Sequence, residues 1–468
     1  MGASLELKLT LARWLGRLSR VRGGGATTAP GKLLMRLQPR AIEELGARLS
    51  RGSVLISATN GKTTTAAMFA GILAETGVSV VHNQAGANMA GGIASTLLAA
   101  ARPKDAIAGE IGLFEVDEFW LERIAAELHP RAILLNNLFR DQLDRYGELE
   151  TIADRWALSV QSGPARDARL VLNADDPLIA DLGRARADAS SADAPLYFGV
   201  EDPSLAQAGM AHAADAKHCR NCGAPYVFEH VFLGHLGHYY CPNCGQRRPT
   251  PLVSASEVTL EGVRSARFML RTPSGERPVS LALPGLYNVY NALAAAALAT
   301  ALEIPLADIV AGLQGTEAAF GRAETVTLAD RPMQILLIKN PAGANEVLRT
   351  LALEAGEHDL LGVLNDNTAD GRDVSWIWDA DFELLADRVR RVTCSGTRAA
   401  DLAVRLKYAG VESSRIHVDM NLKKALSSAA ADIAPGSGAP LYALPTYTAM
   451  LSLRELLVAR GEARSAWS

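Results

Sequence analysis

Residues 56–68 read ISATNGKTTTAAM, and Gly61-Lys62-Thr63 within them are residue types that hold a phosphate. The apolar run before them, Ser53–Ala58, reads as a buried strand, and TTTAAMFAGILAETG after them reads as a helix that ends at Gly77. A strand that turns through glycine into a helix aims backbone N–H groups and the positive helix end at one spot. Thr59, Asn60, Gly61, Lys62, Thr63 and Thr64 are therefore the candidate nucleotide-binding residues. Lys62 would bring a mobile cation to the β- and γ-phosphates, and the Thr63 hydroxyl would bind Mg2+. The full pattern G-x-x-x-x-G-K-[ST] places glycine at position 56, where this chain has Ile56, so the match is partial. The competing reading is an ordinary helix start capped by threonine.

A second cluster carries metal chemistry. Cys219 and Cys222 have two residues between them, as do Cys241 and Cys244, and eighteen residues lie between the pairs. Glycine follows each pair, in CRNCG and CPNCG, and allows the tight turn a metal knuckle needs. Four thiolates close a tetrahedral shell around Zn2+ and leave no open position for water, which predicts a structural zinc ribbon. His218, His230, His235 and His238 lie nearby and are read as bystanders; a pair of disulfides is the alternative. The fifth cysteine, Cys394, follows a strand-like run and reads as a buried small hydrophobe. An odd count gathered into two metal-type pairs points to a reducing, cytoplasmic setting.

The elements that must position these groups alternate as strand and helix from about residue 50 onward, the pattern of parallel α/β domains. RAILLNN (Arg131–Asn137) and ARLVLNADDP (Ala168–Pro177) are further strand ends with polar tips, where ligands gather in open α/β sheets. The rhythm breaks near Asp215 and resumes near Val258, through the strong helix PGLYNVYNALAAAALATAL. We read an N-terminal helix and lead-in over 1–49, a central ATP-binding domain over 50–325 with the ribbon inserted at about 215–250, and a smaller α/β domain over 326–468. The formal net charge of −4 supplies no global attraction to nucleic acid, and no apolar run is long enough to span a bilayer. In the first segment Leu7, Leu11, Trp14, Leu15 and Leu18 recur at helical spacing among arginines. The first reading is an amphipathic helix docked on the body; the second is a basic helix resting on the inner, anionic membrane surface.

TNGKTTT resembles the shortened loop of the Mur ligase family, ATP-dependent amide-bond formers of cell-wall synthesis. That family usually has glycine where this chain has Ala58, which fits only with negative φ. Other motifs follow in the family's order. FEVDEF supplies Glu115, Asp117 and Glu118 and resembles the Mg2+-binding acidic segment, with Glu115 taken as the metal ligand. NNLFRDQLDRYG resembles an Asp-His-Leu-Asp segment with Gln142 in place of histidine, and LNADDP is a further match. Asn288 and Asn291, three apart on one helix face, resemble the adenine-contacting pair, and Arg322 in FGRAET resembles an arginine that approaches the nucleotide.

Four features narrow the resemblance. About fifty residues precede the loop, too few for the family's usual UDP-precursor domain, and KNPAG (Lys339–Gly343) stands where an Asp-containing segment is usual. With the four-cysteine insertion and DGRDVSWIWD, this is similar to the amidating branch of the family, which acts on lipid II. That resemblance implies ATP, Mg2+ and structural Zn2+, and amidation of the D-glutamate α-carboxylate of the lipid II stem peptide through an acyl phosphate. It also implies a heterodimeric partner, a GatD-like glutaminase that supplies ammonia. Asp373 is the residue of DGRDVSW taken to orient the partner's catalytic histidine, with Asp370 as runner-up; both also read as turn and cap residues. Two alternatives stay open: a Mur- or folylpolyglutamate-type ligase adding an amino acid, and a zinc-ribbon NTPase that binds nucleic acid.

Overall fold

The computed structural model describes residues 7–13, 28–83, 87–141, 149–161, 163–184, 194–210, 214–316, 322–328, 331–431 and 439–463. After α1 (Ala29–Leu37) and α2 (Ala41–Gly46), the first half of the chain alternates strand and helix: β1 (Ser53–Ser57), α3 (Lys62–Glu75), β2 (Val80–His82), α4 (Ala90–Ala100), β3 (Ile111–Glu115), α5 (Leu121–Leu128), β4 (Ala132–Leu135), α6 (Leu149–Gln161), β5 (Arg169–Asn173), α7 (Pro177–Arg184) and β6 (Leu196–Val200). The hairpin β7 (Val227–Leu233) and β8 (Leu236–Tyr240) stands apart as its own sheet. Then β9 (Val253–Glu261), β10 (Ser265–Thr272) and β11 (Gly275–Leu281) lead into α8 (Leu286–Ala301) and α9 (Leu306–Gln314). The nine-stranded sheet runs β11-β10-β9-β6-β5-β4-β1-β3-β2, parallel from β9 to β2 and antiparallel at β9-β10-β11.

Every residue of β1, β3 and β4 is buried, as parallel strands covered by helices on both faces require. β1 lies between β3 and β4, so the strand order reverses on either side of it. The crevice beyond its carboxyl end is where a ligand site forms in such sheets. α8 packs alanines against β5, β6 and β9, and most of its sixteen residues are buried.

The second half begins with the hairpin β12 (Arg322–Leu328) and β13 (Arg331–Leu336). It continues through α10 (Pro341–Ala352), β14 (His358–Val363), β15 (Val389–Ser395), α11 (Ala399–Tyr408), β16 (Ile416–Val418), α12 (Leu422–Ala431), β17 (Leu441–Pro445) and α13 (Tyr447–Ala459). These strands form a six-stranded sheet, β12-β13-β17-β14-β15-β16, parallel except at the first hairpin. Cys394 is buried in β15, and burial pushes its thiol up to about 12, so it is an inert core group. No helix of the described residues is long and apolar enough to cross a membrane.

The N-terminal helix docks on the body, but not by the face the leucine spacing suggests. Within the described 7–13, Leu7 is 73% and Leu11 is 47% exposed, whereas Leu9 and Ala12 are fully buried with Leu34 and Ile93. Arg13 reaches the carbonyls of Leu98 and Ala101, which α4 leaves without partners at its C-terminal end. A basic residue at that end also opposes the helix dipole, so the arginine here is a docking group. Trp14, Leu15 and Leu18 lie outside the described residues.

α1 crosses α4 through glycine. A Cβ on Gly31 would stand 2.0 Å from the Gly91 carbonyl oxygen and 2.5 Å from the Ser95 nitrogen, both backbone atoms that cannot swing aside. Gly31→Ala is therefore expected to lower stability by about 1–3 kcal/mol, the usual range for overpacking. An unchanged denaturant midpoint in that variant would show that the two helices are not packed this closely.

Candidate functional site

The carboxyl ends of β1, β3, β4 and β13 converge on one cavity of about 400 Å3. Thr59, Asn60, Gly61, Lys62, Thr63 and Thr64 all line it. Gly61 begins α3 with φ 87, a left-handed conformation that favours glycine. A Cβ there would also lie 2.0 Å from Asn291 Oδ1. Ala58, at the family's glycine position, is not among the residues with positive φ, so alanine fits it.

The three carboxylates of FEVDEF divide their work. Thr63 Oγ1 donates to Glu115 Oε2 at 2.9 Å, which places a hydroxyl and a carboxylate side by side at the loop. Lys62 Nζ donates to the Ala58 carbonyl and pairs with Glu118 at 3.0 Å. Asp117 Oδ1 accepts the Phe119 N–H at 3.2 Å and shapes the turn into α5. Asn83 fixes Glu115 from behind, since its amide exchanges two 2.9 Å bonds with the Glu115 backbone. Beside Glu115, His82 is held neutral because burial lowers it to about 4.

Asn288 and Asn291 line the cavity, and in this structure they spend their amides on each other and on neighbours. Asn291 Nδ2 donates to Asn288 Oδ1 at 3.1 Å, and Asn288 Nδ2 donates to Pro284 O at 2.8 Å. Asn291 Oδ1 accepts from Thr65 at 3.3 Å and from Asn136 at 3.5 Å, and Asn136 accepts from Asn173 at 3.4 Å. This row of neutral amides joins β4, β5, α3 and α8 behind the loop. Both aspartates of LNADDP are fully buried. Asp175 takes Arg248, Tyr290 and the Val200 N–H, and Asp176 takes the N–H groups of Leu138, Leu178 and Ile179.

Several cavity residues carry no signal in local spacing. Lys339 Nζ donates to Thr59 O at 3.1 Å and pairs with Asp141 at 2.5 Å. Asn340 Nδ2 donates to Asn60 Oδ1 at 3.0 Å, and Asn60 Nδ2 donates back to Asn340 Oδ1 at 3.3 Å. The Asn340 side chain also caps α10 through the Gly343 N–H at 2.8 Å. Asn137 grips Asn60 by both backbone groups, accepting at 2.9 Å and donating at 3.0 Å. Lys339, Asn340 and Asn137 thus clamp the phosphate loop from outside it. The KNPAG and NNLF segments are the only sequence sign of this.

Arg322 begins β12, with its side chain outside what is described, and Gln142 falls outside the described residues. Asp370 is buried and committed: its carboxylate accepts the Thr448 N–H at 2.7 Å and the Thr448 hydroxyl, which seats the first turn of α13. Asp373 is exposed and is not among the residues that line the cavity. The Ser375 hydroxyl and N–H hold its carboxyl below the usual range.

The cysteine cluster forms as a separate centre. All four sulfurs lie within 4.8 Å of one another, with Cys219–Cys244 at 3.6 Å and Cys222–Cys241 at 3.4 Å. Four Zn–S bonds of ~2.3 Å in a tetrahedron set sulfurs ~3.8 Å apart, so the donor set and spacing fit Zn2+. Gly223 and Gly245 turn each knuckle with φ 76 and 75. The Gln246 N–H draws the Cys244 thiol down to about 6, toward the thiolate a metal takes. Among the described residues no histidine joins the cluster.

Residues 56–243 match the Mur ligase middle domain, and residues 337–450 match the MurT ligase C-terminal domain. The chain is 34% identical over 461 residues to the lipid II isoglutaminyl synthase (glutamine-hydrolyzing) subunit MurT of Streptococcus pneumoniae, covering 97% of this chain and 98% of that protein. The subunit of the same name from Staphylococcus aureus is 31% identical over 448 residues, 96% of each chain. The chain belongs to the MurT family of Mur ligases. Among solved structures it resembles a pseudomurein peptide ligase type C from Methanothermus fervidus, with TM-score 0.66, 24% identity, and 89% of this chain and 80% of that one covered. It also resembles the MurF ligase of Thermotoga maritima in complex with ADP, with TM-score 0.59, 16% identity, and 92% and 85% covered. Both likenesses establish the Mur ligase fold. Membership makes the chain an enzyme, a ligase of a family that uses ATP and Mg2+.

Gly61→Ala is the sharpest test of the loop. Left-handed strain of about 1–3 kcal/mol and the contact with Asn291 should open the loop, so ATP affinity falls at least tenfold in equilibrium binding while the chain stays folded. Wild-type affinity in that variant would show that the loop does not hold the nucleotide.

Proposed function

We propose that this chain is the synthetase subunit of a lipid II isoglutaminyl synthase: it activates the D-glutamate α-carboxylate of the stem peptide at the expense of ATP and passes it to ammonia, giving D-isoglutamine. The observation that carries the reading is the convergence of Lys62, Lys339 and the Thr63–Glu115 pair on one cavity between the two sheets, in a chain of the MurT family.

A carboxylate is a poor electrophile, and ATP with Mg2+ supplies the phosphoryl group that turns it into an acyl phosphate. Thr63 and Glu115 offer the hard oxygen donors that would hold Mg2+. The loop N–H groups and the start of α3 take the phosphate oxygens. Lys62 exchanges Glu118 for phosphate, and Lys339 exchanges Asp141 in the same way, so each ammonium keeps an anionic partner throughout. Asn60, held by Asn137 and Asn340, keeps the loop in one geometry where the C-terminal half meets it. Attack by ammonia forms the C–N bond, breaks the C–O bond to phosphate and releases inorganic phosphate.

The nitrogen source is a partner glutaminase, GatD-like, forming a heterodimer with this chain. Ammonia is mostly protonated at neutral pH, so a subunit that delivers it unprotonated has a physical purpose. No described thiol here suits glutamine hydrolysis, since four lie in the metal cluster and Cys394 is buried and protonated. Asp373 is assigned to the partner's catalytic site, where an ionised carboxylate orients a histidine. Its exposure and its lowered pKa favour it over Asp370, which Thr448 occupies.

Two measurements test the assignment. In Asp373→Asn, ATP binding and ammonia-dependent amidation should persist while glutamine-dependent amidation falls at least a hundredfold; glutamine turnover at the wild-type rate removes Asp373 from the role. With 18O in the substrate carboxylate, label should appear in the released phosphate, and unlabelled phosphate would rule out the acyl phosphate.

A further inference from the structure

One hairpin joins the cysteine cluster to the nucleotide cavity. β7 and β8 begin and end beside the cysteines, at Val227 and Tyr240, and turn at 233–236 at the far end. Leu233 and Leu236 at that turn are buried in the same core cluster as Ile56, Phe69 and Tyr290, and both line the cavity. Gly234, with φ 60, comes so close to Phe139 that a Cβ would stand 2.8 Å from its ring. The His235 ring lies 4.6 Å from the Phe139 ring, centroid to centroid.

The root of the insertion grips the same loop beside the tip, where the Asp215 N–H approaches His235 Nδ1 at 3.4 Å. Asp215 accepts the Arg140 N–H at 2.9 Å and pairs with its guanidinium. Residues 138–141, which carry the Asp141 partner of Lys339, are thus held by both the ribbon's tip and its root. The hairpin is also fastened along its length: Gly237 N donates to Asp175 O at 2.9 Å, and His238 Nε2 lies 2.9 Å from Val200 O.

The cavity has two chemically distinct regions. Gly61, Lys62, Thr63 and Glu115 suit phosphate and metal, whereas Phe139, Leu233, Leu236, Leu283 and Tyr287, with Asn288 beside them, form an apolar wall. A polyphosphate gains nothing from that wall. A flat heteroaromatic base with an amide partner gains burial and stacking.

We propose that the zinc ribbon builds the base side of the nucleotide site: metal at the cysteine end fixes the hairpin, whose tip packs Leu233 and Leu236 against the purine and holds the Phe139 loop. This rests on the reading of the cavity as the ATP site. Without metal, four sulfurs this close lose the ion that holds them together, and the two knuckles are free to separate. The hairpin then loses its anchored end.

The test measures equilibrium binding of ATP, GTP and inorganic triphosphate to the full chain, with zinc content determined by elemental analysis. Metal-free chain, prepared by chelation or as Cys222→Ser/Cys244→Ser, should bind ATP at least tenfold more weakly, keep its affinity for triphosphate and discriminate less between ATP and GTP. Leu233→Phe, with zinc retained, should show the same pattern by crowding the base. If metal-free chain unfolds by circular dichroism, Leu233→Phe decides alone. Unchanged ATP affinity, or ATP and triphosphate weakening in parallel, overturns the proposal. Failure of the intact chain to bind ATP would instead sink the reading of the cavity.

Discussion

Two lysine ammonium groups face one cavity, and each is neutralised by a carboxylate from another part of the chain: Lys62 by Glu118 and Lys339 by Asp141. The first pair is mostly buried, with side chains 11% and 8% exposed. An unpaired cation at such depth would cost about 3–5 kcal/mol, so the carboxylates are what let the lysines wait there. Under the proposed function, the same pairing makes the site responsive to a polyanion. A triphosphate offers each ammonium a stronger partner, and the freed carboxylates can turn to water or metal. Most of the architecture follows from the need to bring these four residues together, because they come from a helix start, a turn, a strand end and a second sheet.

The parallel sheet meets that need through its topology. Strands buried on both faces place their polar ends in a row, and β1 at the reversal point leaves a crevice that helices do not cover. Side chains that shape the crevice without carrying charge are amides. Asn173, Asn136, Asn291 and Asn288 pass hydrogen bonds across three elements. Amides suit this place because they donate and accept without adding to the local field, so the charge balance is left to the lysines and carboxylates.

Legibility in the sequence followed the range of the interaction. Gly61-Lys62-Thr63 could be read because strand, turn and helix are contiguous, and the cysteine pairs because each knuckle is a local turn. The i,i+3 spacing of Asn288 and Asn291 showed one helix face, but not that the row continues into β4 and β5. Lys339 was invisible as a partner of Asp141 because 198 residues separate them. In the N-terminal helix large leucines suggested the buried face, yet the packing uses Leu9 and Ala12, since Arg13 must reach the end of α4. Periodicity names an amphipathic helix; the partner surface decides its rotation.

Asp370 and Asp373 show the same limit at the scale of one motif. They lie three residues apart in a carboxylate-rich stretch, and composition cannot separate them. Burial does. Asp370 satisfies the backbone and hydroxyl of Thr448, and removing it would leave the helix start without that acceptor. Asp373 holds only the nearby Ser375 and keeps its charge on the surface. Under the proposed role, a carboxylate that serves another subunit has to remain ionised and uncommitted, and a buried acceptor already engaged in its own fold cannot do both. The division between a structural and an available carboxylate is therefore set by which one the C-terminal sheet needs for itself.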